Sequence, residues 1–304
     1  MQEHILIIKH GAFGDLIQAD GVFKAIRQQH AQATIRLLTT PAHAALMQKS
    51  PHIDDIILDN RAPFWQVNAL FNLKRALNKP QFSHIYDLQN SKRTGLYRKF
   101  LLKHPRWVYR PSAEPAPVSG LKGLVALLKN HGINTQHALT PNVHWMVEDV
   151  APLLKTHGIG TPYIVLLPGS SAKHTEKRWP HYAELSARLI TLGYQVVCIL
   201  GPDEKALAHH LSGVVLQDLS WFSLAGVLQK SCYVVGNDSG PSHVASCLNV
   251  AGLAIFGPNT SAARSELKRG NFNTMTALDL PALSVDTVLA NVMPHLKAQQ
   301  FTLS

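Results

Sequence analysis

Residues 5–16 read ILIIKHGAFGDL, and residues 234–243 read VVGNDSGPSH. Each stretch has an apolar run typical of a buried strand, then glycines and a short polar residue, then the start of a helical pattern. Such loops place backbone N–H groups and a helix N-terminus at the carboxyl edge of a parallel sheet, where anions bind. The two stretches therefore predict an α/β fold with an anion-binding loop in each half of the chain.

Strand-like and helical patterns alternate twice along the 304 residues, which favours βαβ units and parallel sheets. The helix stop and connector KTHGIGTP at 155–162 predicts two domains, residues 1–158 and 159–304. Helices are expected over 16–30 and 203–211, among others. The predicted strands are residues 4–9, 34–39, 56–58, 84–87, 107–109, 163–167, 195–200, 214–217, 232–236 and 251–256.

The charge balance is strongly basic, with 29 Lys+Arg against 19 Asp+Glu. This balance suits a partner with phosphates or carboxylates, or an anionic membrane surface. Nucleic acid is disfavoured, because no RNP-like, zinc-finger or helix-turn-helix signature accompanies the charge. No apolar run approaches the ~20 residues of a membrane span, and no signal peptide is apparent, so a cytoplasmic protein is expected. The three cysteines stand singly, which predicts reduced core residues and no metal site.

Asp15 follows the first glycine loop and opens a helix. One interpretation is that its carboxylate caps or complements the helix N-terminus. The other is that it faces the crevice and accepts a proton from a substrate hydroxyl. A dinucleotide site is disfavoured, because the loop lacks a third glycine and no acidic residue ends the next strand.

Two loops of the second half are candidates for phosphate binding. Residues 166–171 (LLPGSS) end a strand with two hydroxyls, and a basic segment containing Lys177 follows. Lys177 could neutralise a diphosphate and Ser170 or Ser171 could hydrogen-bond it; alternatively the segment is a solvated basic loop in which Trp179 packs structurally. In the later loop, Asp238, Ser239 and Gly240 form a nest for phosphate or a hydroxyl. His243 either faces the same crevice or is an ordinary helix histidine.

A run of basic residues follows the predicted strand 84–87. A solvated helix face is the default interpretation of such a run. The concentration of these basic residues in the first half suggests instead that an anionic acceptor substrate binds there. The Pro-rich loop 112–120 is expected to be a surface connection, with an acceptor-side lid as the alternative.

The chain resembles the heptosyltransferases of lipopolysaccharide core synthesis, the inverting glycosyltransferases of family 9. The likeness covers nearly the whole chain and is most specific at residues 5–27, 166–180 and 233–258, which read ILIIKHGAFGDLIQADGVFKAIR, LLPGSSAKHTEKRWP and YVVGNDSGPSHVASCLNVAGLAIFGP. The resemblance implies a GT-B fold, in which two Rossmann-like domains face each other across a cleft. It also allows the last helix to return to the first domain.

The resemblance further implies roles for individual residues. Asp15 would be the general base, and the donor diphosphate would bind the residues Ser170, Ser171, Lys177, Asp238, Ser239, Gly240 and His243. The residues that fall where the family contacts its anionic acceptor are Gly14, Arg61, Gln89, Lys92 and Arg93. No cofactor or metal is implied, and the sequence has no Asp-x-Asp motif. The implied partners are a nucleotide-sugar, an anionic glycolipid and, peripherally, the inner face of the cytoplasmic membrane.

Three other functions stay open on the sequence. A different GT-B enzyme, with another donor or acceptor or with epimerase activity, would share the fold. A catalytically inactive protein would bind the nucleotide-sugar without forming product. A nucleic-acid-binding protein would show affinity that falls steeply with salt.

Overall fold

The computed structural model describes residues 2–102, 106–111 and 120–303, and from residue 298 onward only the backbone. It forms two compact units, Met1–Trp145 and Met146–Ser304, each with its own parallel sheet. The predicted α/β class with two parallel-sheet domains is therefore confirmed. Among the described residues, no helix combines the length and the apolar character that crossing a bilayer requires.

The first unit is built on a five-stranded sheet with the strand order β3-β2-β1-β4-β5. Its strands are β1 (His4–Ile8), β2 (Thr34–Thr39), β3 (Asp55–Leu58), β4 (His84–Asp87) and β5 (Trp107–Val108). Its helices are α1 (Phe13–Gln18), α2 (Asp20–Gln29), α3 (Pro41–Met47), α4 (Val67–Leu77), α5 (Lys92–Leu96) and α6 (Gly120–Asn130), with a π-helical turn Tyr97–Leu101 after α5. Residues 5–8 are completely buried, as expected of a central parallel strand covered on both faces.

The second unit has a six-stranded sheet with the order β11-β10-β9-β6-β7-β8. Its strands are β6 (Tyr163–Leu167), β7 (Gln195–Leu200), β8 (Val214–Gln217), β9 (Tyr233–Asn237), β10 (Gly252–Phe256) and β11 (Phe272–Thr276). Its α-helices are α7 (Ala151–Thr156), α8 (Tyr182–Thr191), α9 (Trp221–Lys230), α10 (Gly240–Cys247), α11 (Ala262–Ser265) and α12 (Val285–Leu303). Short 3-10 helices cover Ala172–Lys177 and Pro202–His210, and another, His144–Met146, spans the division between the units.

Both sheets have a topological switch point, where the strand order reverses beside the first strand of the unit. It lies between β1 and β4 in the first unit and between β6 and β9 in the second. In open α/β sheets, ligands bind outside the carboxyl ends of the strands at this point. The quoted loops follow β1, β6 and β9, so the topology places them at the two expected ligand positions.

The sequence located all ten predicted strands but missed β11, whose sequence FNTMT lacks a continuous apolar run. The helix predicted over 16–30 is two helices, α1 and α2, which are separated at Ala19. Residues 203–211 do not form the predicted α-helix, because a 3-10 helix without a single buried residue occupies Pro202–His210.

The units divide after Trp145, earlier than the boundary predicted at residues 158 and 159. The reason is that the intervening segment packs on α9 of the second unit. The Ser223 hydroxyl donates to the carboxylate of Glu148, and a side chain at Gly226 would meet Val150 Cγ1 at 2.7 Å. The helix-stop signal in the sequence marks the end of α7, but it does not reveal that α7 belongs to the second unit.

Two further predictions concern the last helix and the Pro-rich loop 112–120. Residues 285–296 of α12 pack with the core of the second unit through Val288 and Val292. The expectation that this helix returns to the first domain stays a prediction. The proposed lid at 112–120 lies outside the described residues, except Gly120, where α6 begins.

Candidate active site

Asp15 is the third residue of α1, and its carboxylate has two partners in the first unit. Oδ2 accepts a hydrogen bond from the Ala12 N–H at 3.3 Å, and it lies 3.9 Å from the Lys9 Nζ. The side chain is 57% exposed and lines a cavity at the end of β1. Both interpretations of Asp15 are therefore compatible with its position: it complements the helix N-terminus and also faces a cavity.

Lys9 follows β1 directly and is buried, which is unusual for an ammonium group. Burial lowers the pKa of Lys9, and the charges of Asp15 and Asp87 act in the opposite direction. Carboxylates from α1 and from the end of β4 thus compensate this buried cation. Lys9 was not among the site residues predicted from the sequence.

The loop after β4 is joined to the loop after β1. The buried Asp87 carboxylate accepts the N–H groups of Gln89 and Asn90 at 3.2 and 2.8 Å. The Gln89 Oε1 in turn accepts the His10 N–H at 2.9 Å. The same cavity is lined by Lys9, Asp15, Gln18, Gln89, Asn90 and Arg110, among others. The structure therefore brings the candidate base Asp15 and the candidate acceptor residue Gln89 together.

Asp59, just after β3, interacts with Arg61 of the same loop and with Arg93 of α5. The Arg93 Nη2 donates to the Ala62 carbonyl at 2.8 Å and lies 3.7 Å from Asp59 Oδ1. Arg61 donates its backbone N–H to the same oxygen at 2.7 Å. Arg93 lines a second cavity between β3 and α4, so it is not among the residues lining the Asp15 cavity.

The two other candidate acceptor residues differ in exposure. Lys92 is exposed in the first turn of α5, whereas Gly14 is buried within α1. Neither lines the Asp15 cavity. A contact of Gly14 with a ligand would therefore be made through its backbone.

Asp59 is a buried carboxylate that sequence reasoning missed. Burial would raise its pKa, but hydrogen bonds from His10, Tyr97 and the Arg61 N–H lower it to about 2. Asp59 Oδ2 lies 2.9 Å from His10 Nε2 and 2.6 Å from the Tyr97 hydroxyl. His10 belongs to the β1 loop, so Asp59 fixes that loop to β3.

Lys177 and Asp238 form an ion pair at the switch point of the second unit, with Nζ 2.8 Å from Oδ2. His243 Nε2 lies 3.9 Å from Asp238 Oδ1. All three side chains are largely buried, with exposed fractions of 23%, 13% and 12%. The structure thus brings together three donor-site residues that the resemblance implied.

Ser239 and Gly240 lie at the start of α10. Ser239 is the N-cap residue and Gly240 is the first helical residue, followed by Pro241. The Ser242 hydroxyl donates to the Asn237 carbonyl at 2.6 Å and closes the turn between β9 and α10. The positive end of the helix dipole is therefore placed beside Asp238 and Lys177.

The two candidate serines after β6 differ in their environment. Ser170 is buried, donates its hydroxyl to the His174 carbonyl at 2.7 Å and accepts from Arg178 Nε at 3.2 Å. Ser171 is exposed and caps the following 3-10 helix, where its Oγ accepts from the Lys173 N–H at 3.4 Å. Ser171 is therefore the more accessible of the two hydroxyls, and Ser170 shapes the loop.

Asn237 connects the two loops of the second unit and is completely buried. Its Nδ2 donates to the carbonyls of Pro168 and Gly169 at 2.8 and 3.2 Å. Its Oδ1 accepts from the Trp179 N–H at 3.1 Å and from the Tyr182 hydroxyl at 3.2 Å. Trp179 itself is buried in the core, which confirms its expected structural role.

Glu204 is a further carboxylate at this edge that sequence reasoning missed. Its Oε2 accepts from the Gly201 N–H at 2.8 Å, and Oε1 lies 4.0 Å from Arg178 Nη2. Burial raises the pKa of Glu204, against hydrogen bonding from Gly201 and the charge of Arg178. A Cβ on Gly169 would lie 1.9 Å from the Glu204 carboxylate, so a larger residue there would displace that side chain.

The sequence of the chain is similar to those of known heptosyltransferases. Residues 122–269 match the model of glycosyltransferase family 9 (heptosyltransferase). Lipopolysaccharide heptosyltransferase 2 of Escherichia coli (strain K12) is 26% identical over 292 residues, covering 84% of this chain and 83% of that protein.

Solved structures show the same fold. The family 9 glycosyltransferase of Veillonella parvula superposes with a TM-score of 0.80 at 18% identity, covering 97% of both chains. E. coli ADP-heptose lipopolysaccharide heptosyltransferase II superposes with a TM-score of 0.77 at 20% identity, covering 99% of this chain and 100% of that one. The two doubly wound units are those of the GT-B fold, and residues 122–269 are similar to glycosyltransferase family 9.

Proposed function

We propose that this glycosyltransferase moves a heptose from ADP-heptose to an inner-core acceptor of lipopolysaccharide, with inversion at the anomeric carbon. The observation that carries the proposal is the pairing of a carboxylate with a lysine at each switch point, Asp15 with Lys9 and Asp238 with Lys177. The relatives' names supply the sugar and the acceptor: one is a lipopolysaccharide heptosyltransferase and another an ADP-heptose heptosyltransferase.

In this proposal Asp15 is the general base. Its exposed carboxylate takes the proton of an acceptor hydroxyl as that oxygen attacks the anomeric carbon. The bond between the anomeric carbon and the diphosphate oxygen breaks in the same displacement, and ADP leaves. The buried ammonium of Lys9 lies 3.9 Å from Asp15 Oδ2 and helps to orient this carboxylate.

The second unit binds the donor. Lys177 faces the leaving diphosphate and stabilises its charge together with the N-terminus of α10, so that no divalent cation is needed in this role. Asp238 would repel the diphosphate, so we assign it to donor hydroxyls and to the orientation of Lys177. Ser171, the exposed hydroxyl after β6, hydrogen-bonds a phosphate oxygen, while Ser170 shapes that loop.

The first unit binds the acceptor. Gln89, Asn90 and Arg110 line the same cavity as Asp15 and supply polar contacts beside the reacting hydroxyl. Arg61 and Lys92 are exposed cations at neighbouring loops and attract the phosphates of an anionic glycolipid. Arg93 supports these loops through Asp59 and Ala62.

An apolar surface at α4 supports peripheral contact with the cytoplasmic face of the inner membrane, where a lipid-linked acceptor is presented. Trp65, Val67 and Phe71 are 80%, 70% and 64% exposed. The last turn of the same helix carries Lys74 and Arg75. Exposed aromatic residues beside cations are typical of segments that insert into an anionic interface.

Calorimetric titration with ADP, compared with UDP, GDP and NAD, tests the donor site. The proposal predicts selective binding of ADP by the second unit's loops. A preference for UDP or GDP would support glycosyl transfer from a different nucleotide-sugar donor. Absence of nucleotide binding would refute the proposed donor site.

A further inference from the structure

A cluster of two histidines and a glutamate lies at the amino-terminal edge of the first sheet. Glu3 immediately precedes β1, His30 follows α2, and His84 is the first residue of β4. Asp15 follows the opposite end of β1. At about 3.3 Å per residue, the strand separates Glu3 from Lys9 by about 20 Å. The cluster is therefore not part of the proposed active site.

The spacing of the three side chains fits one metal ion. His30 Nδ1 lies 3.3 Å from Glu3 Oε2, and His84 Nδ1 lies 3.5 Å from Glu3 Oε1. One potential ligand atom from each residue lies within 4.8 Å of the others. Zinc bonds of about 2.0–2.1 Å in a tetrahedron place neighbouring ligand atoms about 3.4 Å apart. The two short separations are close to that value, each to a different oxygen of the Glu3 carboxylate.

Neighbouring residues orient the potential ligands. His30 Nε2 lies 2.8 Å from the buried Tyr86 hydroxyl, and Ser83 Oγ donates to Glu3 Oε1 at 2.7 Å. A proton on His30 Nε2 bonds to Tyr86 and leaves the Nδ1 lone pair directed at the Glu3 carboxylate. Hydrogen bonding of the second ring nitrogen is the usual way in which proteins orient a metal-binding histidine.

In that tautomer a metal ion joins Nδ1 to the carboxylate, whereas in the other neutral tautomer an Nδ1–H hydrogen bond to Glu3 takes its place. His30 is buried, whereas the Glu3 side chain is 40% exposed, so an ion could enter from solvent and keep a water ligand. The charge of Arg106 also reaches His84 and opposes any cation. A metal that binds nitrogen strongly is therefore favoured over Mg²⁺ or Ca²⁺.

We propose that Glu3, His30 and His84 form a structural site for Zn²⁺ or a similar nitrogen-binding divalent ion. The ion joins the segment before β1, the end of α2 and the start of β4. This proposal is independent of the proposed function, because no step of glycosyl transfer uses these residues. Its expected effect is on the stability of the first unit.

The test uses the full chain freed of metal with a chelator and then dialysed. One Zn²⁺ per chain should bind, and Co²⁺ should give the visible absorption of a low-coordinate site with nitrogen ligands. A saturating excess of Zn²⁺ should raise the Tm by about 5 °C, since only the folded state holds the three ligands together. Mg²⁺ should leave the Tm unchanged.

Glu3→Gln keeps the size of the side chain and should abolish both the Co²⁺ spectrum and the Zn²⁺-dependent rise in Tm. His84→Gln provides a second variant in case the first fails to fold. His209→Gln, at an exposed position of the second unit, is the matched control and should behave as wild type. Equal Zn²⁺ effects in all variants, or no Zn²⁺ bound by the wild type, would overturn the site and leave a hydrogen-bonded histidine–carboxylate cluster.

Discussion

The Lys9 Nζ lies 3.9 Å from Asp15 Oδ2, so that an almost completely buried ammonium contacts an exposed carboxylate. Asp87, which is also buried, provides a second negative charge that acts on Lys9. The two partners differ in burial. Lys9 is fixed within the fold, whereas Asp15 is accessible to a substrate. In the proposed function, this accessibility allows Asp15 to reach the acceptor hydroxyl.

Replacement of Lys9 by methionine should impair transfer without affecting the donor site. The variant retains the apolar stem and removes the charge beside Asp15. We expect kcat/KM for the acceptor to fall by at least about tenfold, the effect of losing one charged contact of about 1.5–3 kcal/mol. Lys129→Met, at an exposed position of α6, is the control. Unchanged acceptor kinetics in Lys9→Met would contradict the role given to Lys9.

Lys177→Ala should weaken ADP binding, because it removes the charge that faces the diphosphate. A charge-assisted contact of about 1.5–3 kcal/mol corresponds to roughly a 10–100-fold increase in Kd. Lys173→Ala, in the same loop but exposed, should bind ADP as wild type does. Equal affinities in the two variants would show that the loop attracts ADP only by its overall charge.

Asp59 should make the first unit sensitive to acid. Its pKa of about 2 in the folded protein lies below the ordinary value of 3.8. The folded state therefore gains stability above about pH 4, of about 2 kcal/mol, which is lost as the pH falls towards 2.

Urea unfolding of wild type and Asp59→Asn at pH 7 and pH 3 measures this contribution. The variant should be less stable at pH 7 and should lose less stability on acidification. Asp279→Asn, an exposed position of the second unit, is the control. If the free energy of unfolding of Asp59→Asn changed with pH as that of the wild type does, other carboxylates would account for the acid sensitivity.

Trp65→Ser should reduce binding to anionic lipid vesicles, because it removes the most exposed aromatic side chain of the α4 surface. Each nearby Lys or Arg adds about 1 kcal/mol at an anionic surface, so binding should also weaken with salt. Co-sedimentation with phosphatidylglycerol vesicles measures both effects. Leu278→Ser, at a 91% exposed position of the second unit, is the control. If both variants sediment like wild type, α4 does not contact the membrane.

The sequence was most informative where local signals are strong. The apolar runs predicted ten strands, and the glycine loops predicted which strand ends carry Asp15 and Asp238. The roles of Asn237 and Asp59 were not predictable in this way. Asn237 bonds to residues 55–69 positions away, and Asp59 bonds to Tyr97 38 positions away. Such contacts exist only after the strand order brings the loops together.

Charge patterns gave a less complete account of the site. The basic run after β4 predicted an acceptor site in the first unit, but it did not distinguish the exposed Lys92 from Arg93, which lies 3.7 Å from Asp59 Oδ1. It also gave no weight to Lys9, because one lysine after a strand does not reveal its burial. Burial depends on the helices that cover the sheet, and the local sequence does not encode that packing.

The most direct test of the central claim is mass spectrometry of a lipopolysaccharide inner-core acceptor incubated with ADP-heptose and the protein in the presence of a chelator. We expect the acceptor to gain one heptose for each ADP released. Asp15→Asn should slow this reaction by about 10²–10⁴-fold, the usual contribution of a general base, while ADP affinity stays unchanged. Asp279→Asn should react as wild type does. Transfer by Asp15→Asn at the wild-type rate, or wild-type protein that binds ADP-heptose and leaves the acceptor unmodified, would contradict the account.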